Sequence, residues 1–393
     1  MNPSHPASTP SSQPSLDAEK APASSRRSAA IDWMRGLVMI VMTLDHASHA
    51  WNAGRLVTDG VTLYVPGQPL PGAQFWARFI THLCLPMFMF LSGVSLCIST
   101  ESRVARGESP RQIDRHLLGR GALLIVLDWL WMSWVWSPRE GLMLGVLSAI
   151  GLSIWAMTAL RRLSSRALLV IAALWLLGSE LLCGLLYSIE GPISRFAVGF
   201  LCTGRHFHDV HIMVTEPMVP WFPLMLFGWL CQRHILSQPR PVPRLLALAA
   251  LSLFVFVVVR AENGYGNMRL LRVDSSLVQY LHVSKYPASL TFVTLELGLG
   301  LLVFAAFVAI AARSQGTKTR LDATLLLGQT SLFYYLVHVH LLQLAAWATG
   351  QQQASTLLTT VGATGLTIAV LYPLCWGFRA LRRRHPHSIL RHL

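Results

Sequence analysis

The feature that most constrains this chain is a repeated one: an apolar run of about 20 residues, a short polar interruption, then another apolar run. At a rise of about 1.5 Å per residue, 20 helical residues match the roughly 30 Å hydrocarbon core of a bilayer. Lipid offers backbone amides no partner, so each run must close its hydrogen bonds internally, as a helix does. Ten such runs are predicted, at 30–51, 74–99, 115–136, 142–160, 166–187, 217–232, 243–260, 287–312, 323–348 and 355–379. The expected fold is therefore all-α, a polytopic transmembrane helix bundle of about ten spans. Pro86, inside the second run, is expected to kink it.

The composition agrees: of 393 residues, 53% are hydrophobic and 13% charged, against about 25% charged in soluble domains. The net charge of +14 would ordinarily suggest nucleic acid. Here most of the Lys and Arg sit in short gaps between apolar runs, which is how membrane topology is written, so no nucleic-acid partner is expected. Residues 1–28, rich in Ser, Pro and Ala, read as a disordered cytoplasmic tail, with no cleaved leader expected. Residues 29–393 form one membrane domain. With the N-terminus in the cytoplasm, most of the 32 Lys and Arg fall on the cytoplasmic side. Both termini are then cytoplasmic, and the long loops 188–216 and 261–286 face the exterior, where an outside substrate would be met.

The first run, 32-DWMRGLVMIVMTLDH-46, breaks the pattern by carrying Asp32, Arg35, Asp45 and His46, with His49 just beyond. At about 100° per residue all five fall within roughly 140° of arc. Arg35 and His46 face the same way, about 16 Å apart along the axis. Such a face must look into the bundle or a hydrated cavity, because lipid exposure of charge is costly. Asp32 and Arg35, at i and i+3, can neutralise one another as a structural pair. Asp45 and His46 lie deeper, where short side chains cannot reach the interface, and Asp45 is placed to orient His49.

Other polar groups share this depth. His82 in the second run, and His338 and His340 in the ninth, fall in the outer half of their spans. Imidazoles at one depth suggest a cavity capable of proton transfer; each can equally be a helix–helix hydrogen-bond partner. Asp128, Glu180 and Glu296 sit near the middle of spans three, five and eight, open to a relay or to interhelical bonding. Lys285 stands at the outer mouth of span eight, as an anion-binding group or an interface anchor. The segment 205-RHFHDVH-211 reads as a solvated loop; it lacks a fourth ligand at fixed spacing, so no metal is expected. The six Cys form no CxxC pair and are expected in the core.

Five stretches, "IDWMRGLVMIVMTLDH", "RFITHLCLPMFMFLSGVS", "VPWFPLMLFGWL", "SKYPASL" and "GQTSLFYYLVHVHL", occur in an order that resembles the bacterial relatives of heparan-α-glucosaminide N-acetyltransferase, from about residue 28 to the end. The resemblance implies a transmembrane acyltransferase that carries an acetyl group from cytosolic acetyl-CoA to a glucosamine on the far side of the membrane. It implies that an Asn and a His near the outer end of the first helix matter; Asp45 falls where that Asn would be, and His46 or His49 where the His would be. The spacing of Arg35 and His46 also looks like that of the wider membrane acyltransferase-3 group, which favours His46.

The resulting expectation is a multi-pass bacterial inner-membrane enzyme. It would move an acyl group, acetyl foremost, from cytoplasmic acyl-CoA to a hydroxyl or amine of an extracytoplasmic glycan or small-molecule acceptor. Asp45 and His46 would be the base or relay, with His49, His82, Asp128, Lys285, His338 and His340 lining a cavity or binding substrate. Arg35, Arg115 and Arg120 would meet the acyl-CoA phosphates. A homodimer is compatible with the sequence. The rival reading is a proton-coupled transporter, which also uses buried carboxylates and imidazoles; the two halves show no internal repeat of the kind transporters often carry.

Overall fold

A computed structural model describes residues 23–136, 141–188, 191–314, 322–385 and 388. The first helix, α1 (Ala23–Trp51), starts inside the stretch expected to be tail, so 23–28 belong to the helix. The rest of the expected tail, 1–22, lies outside the described residues. There follow α2 (Gly72–Thr81), α3 (Cys84–Ala105) and α4 (Pro110–Leu127), which passes through a π-turn at Asp128–Met132 into α5 (Ser133–Trp136). Next come β1 (Leu142–Leu144), α6 (Val146–Leu160), α7 (Ser165–Ser188) and α8 (Pro192–Val198). A second π-turn precedes β2 (Arg205–Phe207) and β3 (Ile212–Val214), and then α9 (Met218–Cys231), α10 (Pro241–Glu262) and α11 (Leu277–Leu281). The chain closes with α12 (Leu290–Arg313), α13 (Asp322–Gln329), α14 (Ser331–Ala348) and α15 (Leu357–Arg384).

The all-α membrane bundle is what the sequence led one to expect, but ten is a loose count of its spans. Among the described residues, six helices are long and apolar enough to cross a membrane, or seven if α13 and α14 are one bent span. The remaining expected stretches are helical too, apart from β1 at the start of 142–160. They fall short because α1 is interrupted by ionisable groups, and because α6 and α9 have only 15 and 14 residues.

Two interruptions shape the interior. The second expected span breaks between α2 and α3 at His82–Leu83, one turn before Pro86. Proline has no N–H for the carbonyl four residues earlier and its ring clashes there, so the break falls at residue 82 rather than at Pro86 itself. The ninth expected span turns by 89° between α13 and α14, at Thr330.

Helices approach closely where both carry glycine. A Cβ on Gly36 of α1 would sit 1.9 Å from the Thr324 carbonyl oxygen, and one on Gly328 of α13 would sit 1.8 Å from that of Asp32. The same reciprocity joins Gly93 of α3 to Met225 and Gly228 of α9 to Phe90, at 2.0 and 1.9 Å. Without a hydrophobic drive between helices in lipid, such backbone approach is the principal source of packing energy. Residues 205–211, expected to be loop, form β2 and a 3-10 turn. Here β3 pairs in parallel with β1 and antiparallel with β2. Fully buried Arg260, on α10, donates to the carbonyls of Leu270, Gln279, Tyr280 and His282 and to Asn267 Oδ1, at 2.5–3.1 Å. This guanidinium organises the loop that carries Lys285 and Tyr286 inward.

Candidate active site

The polar stripe of α1 meets α14, and two of the imidazoles singled out in the sequence come together there. His46 Nδ1 lies 2.7 Å from His338 Nε2, with the ring planes 16° apart. His338 Nδ1 lies 3.0 Å from the Tyr334 carbonyl, one turn back on its own helix. A carbonyl only accepts, so in neutral His338 the proton is on Nδ1 and Nε2 is the acceptor. His46 must then donate through Nδ1–H, and its Nε2 keeps a free lone pair. The hydrogen-bond network thus assigns the tautomer of both rings. One turn below, Thr43 Oγ1 donates to the Met39 carbonyl at 2.8 Å, so the Tyr334 hydroxyl donates to Thr43 at 2.7 Å and ties α14 to α1. The Trp136 ring touches both imidazoles of α1, with centroids 5.0 Å from His46 and 4.9 Å from His49.

Asp45 is placed elsewhere. Its Oδ1 accepts from Arg78 Nη1 at 2.5 Å and from Thr81 Oγ1 at 3.2 Å, and lies 3.0 Å from Arg55 Nη1. Arg78 Nε also donates to Asp59 Oδ2 at 2.6 Å. His82 Nε2 stands 3.4 Å from Asp59 Oδ1, close enough for charge contact without hydrogen-bond alignment. The expected orientation of His49 by Asp45 is therefore replaced by an Asp45–Arg78–Asp59 chain: two guanidiniums are stronger partners for a carboxylate than a neutral ring. Burial alone would raise the Asp59 carboxyl, but the Arg78 guanidinium holds it well below the usual carboxylate range.

Lys285 is buried, with its ammonium 5.0 Å from the centre of the Tyr286 ring and its amide donating to the Asp59 carbonyl at 2.8 Å. The Tyr286 hydroxyl donates to Glu216 Oε1 at 3.2 Å, and Glu216 Oε2 is buried without a hydrogen-bond partner. Burial pushes the Glu216 carboxyl up to about 7.

Cavities lie toward both ends of the imidazole pair. One, of about 270 Å³, is lined by Arg35, Arg120 and Arg382 together with Gln329 and Tyr335. Tyr335 brings it within one side chain of the pair, its ring centre 5.8 Å from His338 and 6.5 Å from His46. Arg35 is held by Asp32 at 3.3 Å and by the Ser95 hydroxyl, so the expected ion pair and a cavity position coexist. A second cavity, of about 310 Å³, is lined by His49, Asn52, Arg55, Asp59, Arg78 and Tyr286. Arg35 and His49 are 14 residues apart on one helix, so these openings are about 21 Å apart along α1.

The remaining expected residues are dispersed. Arg115 is exposed, five residues before Arg120 on the same helix, and does not line the arginine cavity. Asp128 Oδ2 accepts from the amides of Gly145 and Ser148 at 2.7 and 2.8 Å, so it caps the start of α6 from the neighbouring π-turn. His340, two residues past His338, faces the other way and lies against Trp131, with ring centres 4.7 Å apart. Glu180 accepts from the Gly266 amide at 2.6 Å. Sequence reasoning missed Arg55, Arg78, Asp59 and Arg382 as parts of this centre. Arg78 carried a usable signal, a guanidinium inside an apolar run; Asp59 and Arg55, in an aperiodic loop, carried none.

A lipid-spanning bundle that shelters paired imidazoles, with an arginine-lined recess on one side and a polar recess on the other, is built as a membrane-embedded transferase. The family model "Heparan-alpha-glucosaminide N-acetyltransferase, catalytic" matches residues 27–261, and the chain belongs to that family of membrane acetyltransferases. The matched range ends with α10, so His338 and Lys285 lie on helices and loops beyond it. Compared with curated proteins, the chain matches none.

Proposed function

We propose that the protein transfers an acyl group, acetyl foremost, from cytoplasmic acyl-CoA to a hydroxyl or amine presented from the opposite face of a bacterial inner membrane. In this reading both termini are cytoplasmic, which puts the arginine cavity on the cytosolic side. The observation that supports it best is the His46–His338 pair between two separately lined cavities. Arg35, Arg120 and Arg382 suit the phosphates of CoA, since guanidinium forks match phosphate oxygens. The acceptor enters beside His49.

The chemistry needs one base. The acceptor N–H or O–H loses its proton to His46 Nε2 as its lone pair attacks the thioester carbonyl carbon. The C–S bond breaks, the acyl group stays on the acceptor, and the CoA thiolate takes the proton back from His46. His338 acts as a positioning residue: accepting at Nε2, it fixes His46 with its own Nε2 free, and it stabilises the imidazolium that forms. Tyr335 separates the donor cavity from the imidazoles, so the thioester reaches them as that ring swings aside.

The test uses purified protein in lipid nanodiscs, radiolabelled acetyl-CoA and an amino-sugar acceptor. Acetyl transfer that is lost in His46→Ala, while acetyl-CoA still raises the melting temperature of that variant, is the expected result. Transfer at the native rate in His46→Ala overturns His46 as the base, whereas no transfer by the native protein and no thermal shift with any acyl-CoA overturns the acyltransferase reading and favours the transporter alternative.

A further inference from the structure

We propose that the acceptor is lipid-anchored, its hydrocarbon tail lying in a third cavity that adjoins the polar one. This rests on the reading that the acceptor enters beside His49. Leu63 and Tyr286 line both the polar cavity and a larger space of about 1200 Å³ behind them. That space is several times what an acetyl acceptor's reacting group requires, and it exceeds the usual 300–1,000 Å³ range of small-molecule pockets.

Its lining is suited to a tail rather than a headgroup. Leu181, Gly184, Leu185, Val214 and Met268 contribute apolar walls. Several of the polar side chains along it are already engaged by the protein, while Thr62 and the exposed Arg269 also line it. Glu180 accepts from the Gly266 amide, Tyr265 donates to the Leu177 carbonyl, Tyr286 donates to Glu216, and Thr215 donates to the Leu144 carbonyl. A water-soluble sugar finds few free partners there. A hydrocarbon tail passing from the bilayer into these walls stays in apolar surroundings, so it enters without the desolvation cost that a polar group would meet.

The cavity also opens where lipids are. On α7, Leu174, Leu177, Leu181 and Leu185 are all more than half exposed, at 66%, 51%, 59% and 56%, and their spacing of three or four residues makes one outward stripe. The last two belong to the cavity wall as well. A membrane amphiphile can therefore slide in sideways past α7, and its head then meets Asn52, Arg55 and Arg78 near His49. The ligand class is a hydroxyl- or amine-bearing head, sugar-like in its hydrogen bonding, on a long hydrocarbon tail.

The experiment is photolabelling of the full chain in nanodiscs with a hexadecyl glucosaminide that carries a diazirine on its tail; no acyl-CoA is present. Labelling concentrated on 181–188 and 203–215 is expected, competed by unlabelled hexadecyl glucosaminide but not by free glucosamine. Gly184 supplies the variant. A Cβ added there meets no heavy atom within 4 Å, so a side chain has room to start from this wall, and Gly184→Trp puts an indole at the cavity. It should cut labelling at least tenfold, while Gly184→Ala retains it. Labelling spread evenly over the lipid-facing helices, equal competition by glucosamine, or unchanged labelling in Gly184→Trp overturns the proposal. Specific labelling together with absent acetyl transfer leaves the lipid site standing and removes the acyltransferase reading. Acetylation of free glucosamine without specific labelling does the reverse.

Discussion

His46 Nδ1 and His338 Nε2 are 2.7 Å apart, and the Tyr334 carbonyl on the far side of His338 fixes which atom carries the proton. Because His338 acts only as an acceptor toward His46, a side chain that still accepts in that place preserves part of its effect. His338→Gln, whose amide oxygen can replace Nε2, is expected to keep more activity than His338→Ala. His338→Ala should lower kcat by about 10²- to 10³-fold, within the range for a general base that has lost its support, with the KM for acetyl-CoA nearly unchanged. Steady-state kinetics on the two variants decide this. Equal loss in both would show that His338 serves packing alone.

The arginine cavity predicts a different kinetic signature. Arg120→Ala and Arg382→Ala each remove a charge-assisted contact of about 1.5–3 kcal/mol, so the KM for acetyl-CoA should rise about 10- to 100-fold with kcat largely retained. Arg115→Ala, whose side chain does not line the cavity, should leave it near the native value. Repeating the titration with acetyl-dephospho-CoA identifies the arginine that holds the ribose phosphate, because its substitution then has little further effect. A rise in KM for Arg115→Ala equal to that for Arg120→Ala would place the donor outside this cavity.

The membrane class and the helical stretches were legible because lipid enforces them: no other arrangement buries the backbone polar groups of so many apolar runs. The α1 stripe was legible for the same reason, since charges on one arc of a buried helix need a polar interior. Which imidazoles meet was not. His46 and His338 are 292 residues apart, and helical periodicity gives a residue's face but not the facing helix. The misplacement of Asp45 has a local cause: Arg78 lies beyond the α1–α2 loop, at a distance no i+4 rule reaches. Asp128, a carboxylate at mid-span, was open to a relay or to interhelical bonding; its use as the cap of α6 depends on a π-turn and a strand that a pattern of apolar residues does not encode.

Asp45 now reads as a structural clamp with a testable cost. Asp45→Asn leaves Arg55 and Arg78 without a carboxylate they share, and breaking a buried charge pair typically costs about 3–5 kcal/mol. The melting temperature in nanodiscs should fall by several degrees, and activity should fall with the folded fraction. Should Asp45→Asn melt at the native temperature and still lose turnover, the carboxylate has a direct part in proton transfer.

Glu216 makes stability depend on pH in a stated direction. Its carboxyl is raised from an ordinary 4.5 to about 7, first by burial, with the Lys285 charge and the Tyr286 hydroxyl pulling the other way. A group that binds its proton more tightly in the folded state adds stability below its unfolded pKa, and that contribution is lost as pH rises toward the folded value. The window is therefore about pH 4.5–7, and a shift of this size is worth on the order of 3 kcal/mol. The native protein should lose melting temperature across that window. Glu216→Gln, neutral throughout, should lose less, so the difference between the two curves should grow from pH 4.5 and level off above pH 7. Parallel curves would mean that Glu216 stays ionised in the fold, paired with the Lys285 ammonium rather than protonated beside Tyr286.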